Sequence, residues 1–234
     1  MSTQPSPGTF DRYADEYDAT VQAAIGASGE SVAYFAALKA RLAKVEAPPG
    51  TGRVLDFGCG IGNTSRALAT EFGSARITGC DPSAASVATA KARASPRIDY
   101  VGTDDRRLPF DDATFDLAVA ACVFHHIDGD RHAFWAGEIA RVLRPRGRFV
   151  LFEHNPLNPL TRRVVQNIPF DRDVVLLGRA EAQRLVRDAN LRVARSRYYF
   201  FFPRWLAALR PAEPWMGWVP LGGQYYVVGQ RTER

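Results

Sequence analysis

Short apolar runs alternate with helical repeats of apolar residues through the middle of the chain. The runs predict strands, because successive apolar positions place apolar side chains on both faces of a buried parallel sheet. The predicted strands are Arg53–Phe57, Ala75–Cys80, Ile98–Val101, Phe115–Cys122 and Arg148–Glu153. The predicted helices between them are Asn63–Phe72, Ala84–Ala94 with Ser83 as its cap, and Arg131–Leu143. Such alternation predicts a parallel sheet with helices on both faces.

The two ends of the chain follow other patterns. Residues Phe10–Val45 predict two helical stretches with a break near Gly26–Gly29, because apolar residues recur there at helical spacing. The last third predicts a helix, a long strand, a short helix and a final strand, at Arg179–Asn190, Arg192–Phe202, Pro203–Leu209 and Gln224–Gly229. With 234 residues, we expect one domain in which these regions flank the alternating core.

Composition narrows the class of protein further. An apolar content of 46% is ordinary for a globular protein, and no run reaches the roughly 18 to 20 apolar residues of a membrane span. Residues Met1–Gly8 lack the pattern of a signal peptide. We therefore expect a cytoplasmic protein without stable membrane insertion. The three cysteines, Cys59, Cys80 and Cys122, have no zinc-site spacing and are interpreted as buried reduced thiols.

The net charge of +5 leaves nucleic-acid binding open as an alternative. Arginines cluster at Arg141–Arg148 and at Arg192–Arg197. Acidic residues are interspersed with the basic ones along the chain, and the clusters fall at element ends, where solvated arginine is common. We therefore favour a small-molecule partner and consider nucleic acid unlikely.

Three glycines, Gly58, Gly60 and Gly62, follow the first predicted strand. Ligands of open parallel sheets bind beyond the carboxyl ends of the strands, and glycine lets the backbone turn sharply against a ligand. The dinucleotide pattern G-x-G-x-x-G would need glycine where Asn63 stands. The pattern Asp-x-Gly-x-Gly-x-Gly, which starts at Asp56, instead resembles motif I of the class I S-adenosylmethionine-dependent methyltransferases.

Further landmarks resemble the same family over about residues 50–155. Asp81 ends the second strand, where a carboxylate can bind both hydroxyls of a ribose, although an NAD site would use the same group. Residues Gly102–Phe110, followed by Phe115 and Asp116, resemble the family's D-x-x-x-LPF segment, and the resemblance implies that Asp104 accepts from the adenine amino group. Residues Arg141–Gly147 resemble the turn before the fifth strand.

The resemblance is to the branch with ubiquinone/menaquinone-type and small-molecule methyltransferases, and it implies an enzyme. The implied fold is α/β, a Rossmann-like, seven-stranded, mostly parallel sheet with an antiparallel last strand and helices on both faces. It implies an N-terminal helical lid (1–47), a cofactor-binding half (50–155) and a substrate-side half with a lid insert (156–234). Residues Phe10–Asp18 resemble the segment that closes over the cofactor, with Tyr13 or Tyr17 near the methionine end. The S-adenosylmethionine site is expected at Asp56, Gly58, Cys59, Gly60, Asp81, Pro82, Asp104, Asp105, Cys122 and Tyr17.

Methyl transfer needs an acceptor atom in line with the methyl carbon and sulfur, and a base for an acceptor that loses a proton. Histidines at the ends of strands four and five lie above the same crevice, and we predict His126 and His154 as catalytic residues. His125 and Glu153 are further candidates, and a structural hydrogen bond within the loop is the alternative for each histidine. We predict no metal site.

Two segments would overhang this crevice, Asn155–Gly178 and the aromatic stretch Tyr198–Trp218. They favour an apolar or aromatic acceptor, methylated on O or N, although the aromatics could equally form core or a membrane-touching patch. The alternatives are a tRNA or other RNA methyltransferase, a non-catalytic cofactor-binding partner subunit and, more distantly, a dinucleotide oxidoreductase. We expect a monomer or a homodimer.

Overall fold

The computed structural model describes residues 11, 13, 14, 16–104, 106–172 and 174–233. Seven strands of this part of the chain form one sheet in the order β3-β2-β1-β4-β5-β7-β6. The strands are β1 (Arg53–Phe57), β2 (Arg76–Asp81), β3 (Ile98–Gly102), β4 (Phe115–Ala121), β5 (Leu143–His154), β6 (Leu191–Tyr199) and β7 (Gln224–Arg231).

The strand directions confirm the predicted fold. Strands β1 to β5 pair in parallel, and β7 runs antiparallel to both of its neighbours, β5 and β6. The carboxyl ends of β1, β2, β4 and β5 therefore lie at one edge of the sheet, where the topology predicts a ligand.

Helices cover both faces of the sheet, as predicted. They are α1 (Tyr17–Ile25), α2 (Val32–Glu46), α3 (Asn63–Glu71), α4 (Ala84–Ala92), α5 (His132–Val142), α6 (Pro159–Gln166), α7 (Arg179–Asp188) and α8 (Glu213–Met216). Alternate residues of β4 feed two cores: Ala118 and Ala120 pack with α5 and α7, whereas Leu117 and Val119 pack with α2, α3 and α4. Burial on both faces explains why β4 is apolar at successive positions.

The predicted limits of two strands are wrong. Strand β5 begins at Leu143 rather than at Arg148, because the turn before it stays paired to β4 across an irregular register. Asp116 holds this corner: its carboxylate accepts from the backbone of Gly52 and Arg53, both at 2.9 Å, and from Arg144 at 2.8 Å. Strand β6 ends at Tyr199 rather than at residue 202, because Phe200 turns the chain with a φ of 58°.

The predicted limits of the helices agree more closely with the structure. Helices α1 and α2 are separated by a short 3-10 turn at Gly26–Ser28, close to the predicted break, and the Ser83 hydroxyl caps α4 by accepting from Ser86 N at 3.1 Å. The predicted helix 203–209 is a 3-10 segment, Arg204–Ala212. Among the helices in the described ranges, none combines the length and the apolar character needed to cross a bilayer.

Candidate active site

A cavity of about 900 Å³ opens at the carboxyl ends of β1, β2, β4 and β5. Its walls also include parts of α1, α2 and α6 and the segment around Phe200. A cavity of this size can hold a nucleoside-type cofactor together with a second small molecule. Nine of the residues predicted for the site line this one cavity: Tyr17, Gly58, Cys59, Gly60, Asp81, Pro82, Cys122, His126 and His154.

The glycine loop forms the cavity wall at the end of β1. Gly58, Gly60 and Gly62 all have positive φ, at 70°, 50° and 82°. The loop is anchored to β2, since Gly58 N and Cys59 N donate to Cys80 O at 2.8 and 3.0 Å. A Cβ on Gly58 would lie 2.6 Å from the Val123 methyl groups, whereas a Cβ on Gly60 would meet nothing within 4 Å. A side chain at residue 58 would therefore overlap Val123, whereas the space beside Gly60 is open.

The two glycines should differ in their effect on stability. Positive φ costs alanine about 1–2 kcal/mol at either position, and Gly58→Ala adds an overlap with Val123 worth about 1–3 kcal/mol. We expect Gly58→Ala to lower the free energy of unfolding by about 3 kcal/mol and Gly60→Ala by about 1 kcal/mol, measured by urea denaturation. Equal losses for the two variants would contradict this assignment.

Asp81 lies beside the glycine loop with its carboxylate held by backbone donors. One oxygen accepts from Gly60 N at 2.8 Å and the other from Ser83 N at 2.9 Å. Burial raises the pKa of Asp81, and the two backbone N–H groups oppose that rise. A half-buried carboxylate at the cavity wall beside an open glycine fits the ribose of S-adenosylmethionine, whose two hydroxyls are donors.

Two other predicted acids lie elsewhere. Asp56 is buried behind the loop, outside the cavity lining, where it accepts from the Ser65 hydroxyl at 2.6 Å, and burial raises its pKa to about 7. Asp104 is exposed and accepts from the backbone of Arg106 and Arg107, at 3.0 and 3.4 Å, which lowers its pKa. Asp105 lies outside the described residues. Their roles toward the cofactor stay predictions.

The N-terminal segment lies over the glycine loop. Asp11 accepts from the Ser83 hydroxyl at 2.6 Å, and Asp18 accepts from the Asn63 side chain at 2.7 Å. Tyr17 stacks on Phe170, with ring centroids 5.3 Å apart and planes 12° apart. Three members of the predicted closing segment, Phe10, Arg12 and Asp15, lie outside the described residues, as do residues Met1–Gly8.

Five titratable residues meet across the cavity from this loop, namely His125, His126, Glu153, His154 and Asp171, here called the acid–base cluster. His125 Nδ1 lies 2.6 Å from Glu153 Oε2, and the other Glu153 oxygen accepts from Phe124 N at 2.9 Å. Both side chains are almost fully buried. Burial opposes the charging of both groups, yet each stabilises the other: the pKa of His125 is raised and that of Glu153 is lowered.

The two histidines predicted as catalytic have different partners. His126 Nε2 lies 3.1 Å from Asp171 Oδ1, and burial together with the nearby His125 charge lowers the pKa of His126. Burial also lowers the pKa of His154, whose Nδ1 is 3.3 Å from the Gln224 amide nitrogen. Burial therefore favours the neutral form of both rings.

The hydrogen bonds of Gln224 indicate which ring nitrogen of His154 carries the proton. The Gln224 oxygen accepts from the Tyr199 hydroxyl at 2.5 Å, which leaves the amide nitrogen to donate to His154 Nδ1. His154 then carries its proton on Nε2 and acts as a donor. Sequence reasoning missed both Gln224 and Asp171, since neither stands in a motif and each reaches the cluster only through the fold.

The site also contains three cysteines and, separately, three residues whose spacing is that of metal ligands. Cys59 and Cys80 are buried, Cys122 is half-buried with a φ of 60°, and burial raises the pKa of all three thiols. His125, His154 and Asp171 each offer a ligand atom, all within 4.8 Å of one another, a spacing that could hold a divalent cation. The absence of a metal stays a prediction.

Comparison with known proteins agrees with this geometry. Residues 54–147 match the model of a family described as "Methyltransferase domain". A ubiquinone/menaquinone biosynthesis C-methyltransferase of Desulfotalea psychrophila is 35% identical over 109 residues, which cover 46% of this chain and 44% of that protein. The chain thus matches less than half the length of this relative.

Two solved structures share the fold along nearly the whole chain. One is an S-adenosylmethionine-dependent methyltransferase of Thermotoga maritima, a possible histamine N-methyltransferase, with a TM-score of 0.70, 19% identity and coverage of 95% and 98% of the two chains. The other comes from a complex of the Haloferax volcanii Trm112 methyltransferase activator with a methyltransferase, with a TM-score of 0.68, 22% identity and coverage of 95% and 97%. Residues 54–147 are therefore similar to a methyltransferase domain, and the chain shares its fold with these two solved structures.

Proposed function

We propose that the protein transfers the methyl group of S-adenosylmethionine to an oxygen or nitrogen of a small, apolar or aromatic molecule. One observation carries the proposal: the Asp81 and glycine-loop wall and the acid–base cluster open into the same cavity. Cofactor and acceptor can therefore be held together there, and such positioning is the main requirement of this displacement. When bound, the cofactor supplies an electrophilic methyl group on a sulfonium.

The far side of the cavity supports an apolar acceptor. It is lined by aliphatic and aromatic side chains from three regions: Ile25, Val32, Phe35, Leu160, Phe200 and Trp205. Sites for small molecules combine such apolar walls with a few placed polar groups. The similarity to a C-methyltransferase of ubiquinone/menaquinone biosynthesis points to an acceptor of similarly low polarity.

The acid–base cluster supplies the proton transfer. We assign His126 as the base, because its lowered pKa leaves it neutral and Asp171 orients its ring. His154, with its proton on Nε2, is a donor that can stabilise negative charge on the reacting atom. The His125–Glu153 pair holds the loop that carries His126. We further propose that residues 1–47 and the insert after β5 act as lids.

The experiment is an acceptor screen that measures S-adenosylhomocysteine released by the protein. Phenols, quinols, aryl amines and hydroxylated lipids are each supplied with labelled S-adenosylmethionine. We expect release above the Asp81→Asn background with at least one apolar acceptor, and label in the organic phase. Release only with transfer RNA would instead support an RNA methyltransferase.

The Haloferax volcanii complex favours one alternative, a methyltransferase that works with an activator protein. In that case S-adenosylmethionine would bind but no acceptor would be methylated by the chain alone, as for the non-catalytic partner subunit. Addition of a Trm112-type activator distinguishes these two cases. It should start methyl transfer by an activator-dependent enzyme and have no effect on a non-catalytic subunit. The cytoplasmic location and the monomeric or dimeric state stay predictions.

Metal removal gives a further prediction. His125, His154 and Asp171 already contact Glu153, Gln224 and His126, so the cluster does not need an ion to satisfy its polar groups. We expect turnover after treatment with a chelator to match that of untreated protein. Loss of turnover that a divalent cation restores would establish a metal site at these three residues instead.

A further inference from the structure

Large apolar side chains are exposed mainly on one stretch of the chain. Eight of the ten in the described part lie between residues 157 and 221. They include three tryptophans, Trp205, Trp215 and Trp218, with exposed fractions of 73%, 76% and 75%. Exposed apolar patches of this kind mark sites of interaction.

These side chains come from three segments that lie side by side at the cavity mouth. Leu160 and Trp205 both line the cavity. Asn158, just before α6, donates to Leu221 O at 2.7 Å, which ties α6 to the segment after Trp218. Glu213 of α8 accepts from Phe201 N and Phe202 N, at 3.1 and 3.0 Å, which ties Trp215 to the segment of Trp205. We define the rim patch as Leu157, Leu160, Trp205, Leu209, Trp215 and Trp218.

The charge beside the rim patch is mainly positive, and its acidic neighbour Glu213 already accepts from Phe201 N and Phe202 N. Residues 155–170 and 200–212 contain four arginines and no acidic residue. Arg210 pairs with Glu30 at 2.6 Å. The other three, Arg162, Arg163 and Arg204, are exposed and form no ion pair with any residue in the described ranges.

We propose that the rim patch docks the protein on an anionic phospholipid bilayer, with the cavity mouth facing the membrane. Exposed tryptophan and leucine beside arginine is the composition of surfaces that enter the headgroup region. A second copy of the chain fits less well, because a two-fold contact would bring the same arginines against one another. The docking itself does not depend on the proposed function; only the passage of an apolar acceptor from bilayer to cavity rests on it.

The test is co-sedimentation of the full chain with vesicles of phosphatidylcholine, alone or mixed with phosphatidylglycerol. We expect binding to the mixed vesicles, at least about tenfold weaker in the triple variant Trp205→Ala, Trp215→Ala, Trp218→Ala. Arg162→Gln and Arg163→Gln should each weaken binding by roughly fivefold. The control is Val45→Ala, an exposed apolar residue of α2 outside the patch, which should bind like wild type.

Three results would overturn the proposal: no binding of wild type to mixed vesicles, unchanged binding of the triple variant, or a dimer in light scattering that the triple variant abolishes. All variants should keep wild-type affinity for S-adenosylhomocysteine, which shows that they fold; Trp205 lines the side of the cavity proposed for the acceptor, not the glycine-loop side proposed for the cofactor. Failure of wild type to bind S-adenosylhomocysteine would refute the proposed function and leave the vesicle result intact.

Discussion

Asp81→Asn is expected to weaken S-adenosylhomocysteine binding by at least about a hundredfold. A hydrogen bond to a charged group contributes about 1.5–3 kcal/mol, and two ribose hydroxyls would donate to this carboxylate. In the variant one of these bonds has no acceptor and the other no longer goes to a charged group, a combined cost of about 3 kcal/mol, which corresponds to that factor. The variant also weakens the wall itself, because the amide nitrogen that replaces one carboxylate oxygen cannot accept from Gly60 N or Ser83 N. Isothermal titration calorimetry measures the effect.

Asp99→Asn is the matched control for this substitution. Asp99 is an acidic residue of β3 whose exposed carboxylate pairs with Arg76 at 2.9 Å, outside the cavity lining. We expect its affinity for S-adenosylhomocysteine to equal that of wild type. If Asp81→Asn keeps wild-type affinity as well, the cofactor binds without Asp81 and the assignment of this wall is wrong.

His126→Gln is expected to lower turnover by about a hundredfold to ten-thousandfold, the usual contribution of a general base. Its affinity for S-adenosylhomocysteine should stay unchanged, because the glycine loop and Asp81 remain in place. The base must be neutral, so turnover falls as the pH drops through the pKa of His126. Burial lowers that pKa, and wild type should therefore remain active below the ordinary histidine value of about 6.5.

Asp171→Asn tests the same assignment through the pH profile. The Asp171 carboxylate opposes the lowering of the pKa of His126, so its removal should move the acidic limb to still lower pH. The plateau should fall as well, because the ring loses its partner at 3.1 Å. Wild-type turnover in His126→Gln, or a limb that moves to higher pH in Asp171→Asn, would contradict the base assignment.

The sequence predicts the fold well where local pattern decides it. Strands β1 and β4 are buried at nearly every position. Gly58 follows β1, Asp81 ends β2 and Gly102 ends β3, so the limits of these strands are visible in the chain. The start of β5 and the end of β6 depend on contacts distant in sequence. Asp116 holds the paired turn before β5, and Gly223 N donates to Phe200 O where β6 turns away.

The candidate site likewise has a part that the sequence predicts and a part that it does not. Gly58, Gly60 and Asp81 follow strand ends, and topology alone brings them to one edge of the sheet. Asp171 comes from the insert after β5. No local sequence pattern indicates that this insert crosses the cavity. Likewise, Asp104 stands at the expected place in its motif, yet its carboxylate turns toward the backbone of its own loop.

A crystal structure of the protein with S-adenosylhomocysteine tests the central claim most directly. We expect the ribose hydroxyls on the Asp81 carboxylate, the backbone of the glycine loop against the cofactor near Gly60, and the sulfur facing His126 across the cavity. The apolar side of the cavity should stay open for the acceptor. S-adenosylhomocysteine bound elsewhere, or its sulfur directed away from the acid–base cluster, would contradict the account.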